Sequence, residues 1–227
     1  MSDLVTAILV VLVALVVFAV GCARRRARFT IDQTSERVSA VDGMRYRVHE
    51  RHDESQAAAD MLGALNDRII RLMRHLRREY GQAALPGAPP GAFLAGAGPR
   101  AEAVRLLLSR YNPDNLAENS PRDPTGDTSY SLDKGAIVAI CLRKRGSSET
   151  ILDLETVTFV AIHELAHLAL EDIGHPPAFW AVFRFLLEAA EDAGVYRSIN
   201  FARSPRAYCG VSIDYNPRYD PACPALA

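Results

Sequence analysis

The chain has 227 residues, 49% of them hydrophobic and 23% charged, with a formal net charge of −1. A chain of this size buries a full core without a disulfide framework, and its near-neutral balance lacks the basic excess of a simple nucleic-acid binder. Only Lys134 and Lys144 among the 26 basic residues are lysines, which reads as genome composition; Cys22, Cys141, Cys209 and Cys223 form no CxxC pair, so neither a cysteine zinc site nor a redox motif is indicated.

Leu4 to Val20 is an uncharged apolar run, extended by Gly21 and Cys22. A helix of about 19 residues spans ~28 Å, close to the ~30 Å hydrocarbon thickness of a bilayer, and satisfies its own backbone in lipid. The run has no polar face at any period, unlike a core helix. Asp3 precedes it, and Arg24, Arg25, Arg26 and Arg28 follow. The positive-inside rule therefore predicts a single-pass anchor at 1–22, with the N-terminus outside and the remainder on the cytoplasmic side. A cleaved signal peptide would carry a basic leader and a shorter apolar stretch. Cys22, at the membrane edge, is a palmitoylation candidate, with an unmodified thiol as the alternative.

Residues 23–53 read as a basic juxtamembrane segment with short strands or turns. Residues 54–80 read as a helix, because Met61, Leu62, Leu65, Ile69, Leu72, Met73 and Leu76 recur at three and four. Arg68, Arg71, Arg74 and Arg78 occupy the other face, as a solvated row or as a contact for phosphate or anionic lipid. Residues 81–98, rich in Gly, Pro and Ala, read as a linker within a helical region spanning 54–111. A short helix is predicted at 99–111, and 112–127 reads as a long surface loop. A hairpin is predicted at 130–142, turning at Asp133-Lys134-Gly135.

The chemistry lies in 152–187. Asp153 can cap a helix, with Glu155 near its positive end. Gly174 suits the left-handed position that ends it, Pro176 and Pro177 open a second helix, and Gly194 closes that one. His163-Glu164-Leu165-Ala166-His167 is an H-E-x-x-H motif on the first helix. Positions i and i+4 share a face, with Cβ atoms ~5–6 Å apart, so two imidazoles can converge on one zinc ion (Zn2+). Glu164 is free to hold and deprotonate a water on that ion. Burying these groups in an apolar helix without a partner is costly, which favours an ion over two satisfied core histidines.

A third ligand must come from elsewhere. Glu171 lies eight residues from His163, or ~12 Å along a straight helix, too far to share the ion. His175, just past Gly174, is the preferred ligand. The alternative is a carboxylate of the second helix, Glu188, Glu191 or Asp192.

This stretch resembles the zincin metallopeptidases, and within them the WLM and SprT-like group. The matching residues are His163, Glu164 and His167, followed by His175-Pro-Pro-Ala-Phe179-Trp180. The resemblance covers roughly 128–196, from the Tyr130-Ser-Leu-Asp-Lys-Gly135 segment to Gly194-Val195-Tyr196. The chain is also similar to uncharacterised WLM-like proteins of large DNA viruses of algae in its Tyr208-Cys209-Gly210 and Asn216-Pro217 region. It departs from WLM peptidases in a longer spacer between His167 and His175.

The resemblance implies an α+β, zincin-like domain at 112–227, with the H-E-x-x-H helix packed on a small sheet. It implies a zinc peptidase in which His163, His167 and His175 hold the ion and Glu164 is general base. The strand at 136–142 would then pair with an extended peptide. Tyr130, Tyr196 and Tyr208 are candidates by residue type for a further oxyanion donor. The expected partners are a protein or peptide substrate and the membrane. Two other roles stand beside this one: a zinc-stabilised, membrane-tethered scaffold without turnover, and a DNA-associated protease, which the anchor and neutral charge disfavour.

Overall fold

The computed structural model describes residues 34–50, 54–81, 98–120, 128–145 and 150–227. The expected anchor at 1–22, the arginines at 24–28 and most of the 81–98 linker lie outside these residues. Among the described residues, no helix is long and apolar enough to cross a membrane.

Five strands form one mixed sheet: β1 (Thr34–Val38), β2 (Arg45–His49), β3 (Leu116–Asn119), β4 (Tyr130–Leu132) and β5 (Ile137–Cys141), in the order β1-β2-β3-β5-β4. The central pairs β2–β3 and β3–β5 are parallel, whereas β1–β2 and β4–β5 are antiparallel. The described residues include four α-helices, α1 (Ser55–Tyr80), α2 (Pro99–Arg110), α3 (Leu154–Leu168) and α4 (Pro177–Asp192); α1 and α3 pack on the sheet, and α2 and α4 pack on those two helices. A separate hairpin, β6 (Arg206–Tyr208) and β7 (Val211–Ile213), follows α4.

The helical periodicity of 54–80 is realised as α1. Leu62, Leu65, Ile69, Leu72, Met73 and Leu76 are buried, and Met61 is partly so. Its arginine row is not uniformly solvated. Arg68 donates to Thr158 Oγ1 (3.0 Å) and to Glu155 (2.7 Å), tying α1 to the first turn of α3. One hydrophobic cluster takes residues from β2, α1, α2, β5, α3 and α4. The core therefore runs across the expected boundaries at 53 and 111. The strands of 34–49 complete the sheet, and β2 needs a partner at 116–119.

That partner corrects the expected surface loop at 112–127. Leu116 to Asn119 is a buried central strand. Glu118 is buried because Arg143 Nε donates to it at 2.6 Å and the backbone N–H of His49 donates at 2.8 Å. A buried carboxylate is tolerable when paired and hydrogen-bonded in this way.

The predicted hairpin turn at Asp133-Lys134-Gly135 joins β4 to β5, with φ of 44, 55 and 109°. A side chain at Gly135 would meet the Arg110 carbonyl oxygen at 2.6 Å, so glycine is required by close approach as well as by φ.

Candidate metal centre

Helix α3 begins as its sequence predicts. Asp153 caps it, accepting from Thr156 N (2.9 Å) and from Thr156 Oγ1 (2.8 Å). Its end differs from the expectation. Gly174 has the anticipated positive φ of 80°, yet α3 stops at Leu168 with Ala169 as its cap. The reason is competition for carbonyls. Side chains of Lys134 and Arg110 bind the oxygens of His167, Leu168 and Leu170, where a continued helix would have used backbone N–H groups. Gly174 then turns the loop, not the helix, back toward the motif.

This early stop brings the third histidine home. His163 and His167 lie one turn apart on α3, with ring centroids 5.1 Å apart. His175 returns to 4.9 Å from each of those rings. The Nε2 atoms of His175 and His163 are 3.0 Å apart, and one ring nitrogen from each of the three histidines lies within 4.8 Å of the others. His163 and His167 are half-buried, while His175 is exposed.

The alternative ligands are engaged elsewhere. Glu188 pairs with Arg184 (3.1 Å), Glu191 with Arg218 (3.0 Å) and Glu171 with Arg110; Asp192 is exposed. None of them joins the histidines in the metal-capable cluster found among the described residues.

The first turn of α4 props the triad. The ring of Phe179 lies 4.9, 4.5 and 4.6 Å from those of His163, His167 and His175. Phe183 backs His163 at 5.2 Å, and Trp180 lies against His175 at 5.7 Å. Sequence reasoning marked Phe179 and Trp180 only as part of a resemblance. Phe179 and Trp180 stand four and three residues before Phe183, the spacing that signals one helix face meeting the imidazoles.

Burial lowers the basicity of all three rings. His163 is pushed from 6.5 to about 3 by desolvation, then by repulsion from His167 and His175. His167 falls to about 4, through desolvation and then the charges of His175 and Lys134. Desolvation also lowers His175. Neutral imidazoles with available lone pairs are the form that binds a metal. Ligand nitrogens around a tetrahedral zinc with ~2.0–2.1 Å bonds lie ~3.3 Å apart, close to the 3.0 Å between the Nε2 atoms of His163 and His175.

Two cavities flank the triad. One, about 440 Å³, is lined by Ser129, Tyr130, Ser131, Asp133, Lys134 and the loop 172–175. The other, about 370 Å³, is lined by Phe159, Val160, Trp180, Phe183, Tyr208 and residues of β7. His163, Glu164 and His175 line both, which places the histidines and the carboxylate of Glu164 (4% exposed) between them.

The strand facing the first cavity is not the expected one. Residues 136–142 form β5, which pairs with β3 on one side and β4 on the other, leaving no edge for a peptide. The sheet edge on this side is β4, and Ser129–Ser131 line the cleft. The short β4 hides its role in sequence, because the longer apolar β5 reads as the more obvious strand.

The tyrosine candidates separate. Tyr130 lines the first cavity and Tyr208 the second, while Tyr196 packs on Phe159 with ring centroids 6.4 Å apart. Tyr208 Oη and Ser129 Oγ share a 2.6 Å hydrogen bond, and Ser129 Oγ also accepts from Cys141 N (2.9 Å). Burial raises the Tyr208 pKa, keeping it a neutral phenol. Cys141 and Cys209 form a disulfide across 68 positions, which the sequence reading did not anticipate. It pins the β6–β7 hairpin, whose turn residues Cys209 and Gly210 both have positive φ, to the end of β5.

No protein-family model matches the chain. The chain is 35% identical over 111 residues to an uncharacterised protein of Acanthamoeba polyphaga mimivirus, covering 49% of this chain and 55% of that one. It is 30% identical over 91 residues to an uncharacterised protein of Invertebrate iridescent virus 6, covering 40% and 50%. A third match, 40% identical over 99 residues, is an uncharacterised protein of Invertebrate iridescent virus 3, covering 38% and 61%. The chain is thus similar to uncharacterised viral proteins, here of an amoeba virus and two invertebrate viruses, and spans about half to three fifths of their length. Among solved structures it is similar to Wss1 from Saccharomyces cerevisiae, with a TM-score of 0.43 and 16% identity over 65% of this chain and 87% of that one.

Proposed function

We propose that the protein is a zinc-dependent peptidase in which His163, His167 and His175 hold the ion and Glu164 is the general base. The observation that carries this reading is the convergence of three neutral imidazoles with a buried glutamate between two cavities. Zinc, when bound, supplies Lewis acidity toward a water and a peptide carbonyl. Glu164 removes a proton from the attacking water and delivers it to the leaving amine. An extended substrate lies along β4, where a sheet edge offers backbone hydrogen bonds without demanding one sequence. Tyr208, kept neutral by burial, stands beside the start of β4, where its hydroxyl shares a hydrogen bond with Ser129.

The reading keeps Leu4–Val20 as a membrane anchor, supported by its length and lack of charge, so the substrates are proteins held near that membrane.

The test compares the full chain, purified in detergent, with Glu164→Gln. The expected result is equal zinc content and a loss of casein cleavage of about 100-fold or more, the scale of general-base catalysis. Equal zinc with no cleavage by either protein would establish a zinc-stabilised scaffold instead. Absence of zinc from both would overturn the ligand set.

A further inference from the structure

The carboxyl end of α3 and the loop beyond it are held by cations from outside the motif. Lys134 Nζ lies 3.3 Å from the carbonyl oxygen of His167, 2.7 Å from that of Leu170 and 2.9 Å from that of Asp172. Arg110 Nη1 adds bonds of 2.9 Å to the carbonyls of Leu168 and Leu170. The oxygens bound by Lys134 start at one metal-ligand candidate, His167, and run along the loop toward the other, His175. The lysine is itself firmly set. It occupies a left-handed position in the β4–β5 turn, and the next residue, Gly135, packs against the backbone of Arg110.

We infer that Lys134 is a positioning residue for the metal centre: its ammonium ties the last turn of α3 to the returning loop and so holds His175 over His163 and His167. This rests on the reading of the triad as a zinc site.

The residue type supports the role. An ammonium is compact and directs three hydrogens outward from one nitrogen, matching three carbonyls around a single point. A guanidinium spreads its donors over a planar fork and cannot gather three acceptors at one atom. Of the 26 basic residues in this arginine-rich chain, Lys134 is one of two lysines, and it stands where arginine would not serve.

The experiment measures zinc affinity by chelator competition on the full chain, for Lys134→Met and Lys134→Arg, each with His175 intact and with His175→Ala. Circular dichroism of the metal-free proteins checks folding. Lys134→Met is expected to weaken zinc by about 10–100-fold, the range for groups that orient metal ligands. Lys134→Arg, which keeps charge and bulk, is expected to remain weaker than the parent. In the His175→Ala background the Lys134→Met effect should shrink to less than about threefold, because the group it positions is gone. Parent-like affinity in Lys134→Met overturns the inference, and so does an equal loss with and without His175. Should Lys134→Met fail to fold, Lys134→Arg decides, and parent-like affinity there overturns it. Parent-like zinc binding by His175→Ala alone would overturn the triad itself, an outcome distinct from failure of the Lys134 role.

Discussion

His175 Nε2 lies 3.0 Å from His163 Nε2, although a helix end and a glycine turn separate the two residues. At that distance one ring donates its N–H to the other, or both turn their lone pairs to one shared cation. His167 on the next turn closes the place on a third side.

The tryptophan beside this pair offers a direct readout. Trp180 is the sole tryptophan of the chain, and its ring lies 5.7 Å from that of His175. Zinc titration is expected to change its emission in a saturable, one-to-one manner. His175→Ala should weaken the transition by more than the roughly 10–100-fold typical of groups that merely orient ligands. An unchanged titration in that variant would remove His175 from the site.

Acid should destabilise the metal-free protein. His163 and His167 protonate near about 3 and about 4 when folded, against 6.5 for an unperturbed ring. Between these values the unfolded chain binds more protons than the folded one, so stability is fully present above 6.5 and drains away as pH falls. Urea midpoints of the zinc-free protein are expected to decline from about pH 7 to about pH 4, with a shallower slope in His163→Gln. A midpoint that rises on acidification would contradict this.

The buried ion pair between Glu118 of β3 and Arg143 predicts a large and specific effect. Glu118 and Arg143 are 0% and 1% exposed and bond at 2.6 Å. Glu118→Ala removes the carboxylate that pairs with the buried Arg143 guanidinium, at a cost of about 3–5 kcal/mol in urea unfolding. Adding Arg143→Met should recover much of that loss, because an apolar pair of similar volume replaces the charges.

The Cys141–Cys209 bond predicts a fourth outcome. Its 68-residue separation closes a long loop, so Cys209→Ser should destabilise the chain by roughly 2–5 kcal/mol in thermal or urea unfolding. A reductant should lower the parent's melting temperature and leave the variant's unchanged.

Much of the site was legible because local periodicity carries it. The i, i+4 spacing of His163 and His167, the Asp153 cap, the turn at Asp133-Lys134-Gly135 and the stripe of α1 all depend on residues close in sequence. The features that were not legible depend on distant partners. Glu118 reads as a surface residue until Arg143 neutralises it, and α3 ends early because Lys134 and Arg110 arrive from other elements. The pairing of Cys141 with Cys209 and the burial of β5 between β3 and β4 likewise exist only once the sheet is assembled.

The cross-link also ties the shape of the cleft to its chemical surroundings. Glutathione-rich cytosol keeps such bonds open, and that is the side to which the arginines after the apolar run would direct the domain. There the hairpin bearing Tyr208 loses its covalent rivet and leans on contacts such as the Ser129 hydroxyl. On the opposite face of the membrane, or inside an oxidising particle, the rivet stays shut. Whether the β6–β7 hairpin is fastened to β5 is thus set by the electron balance around the protein.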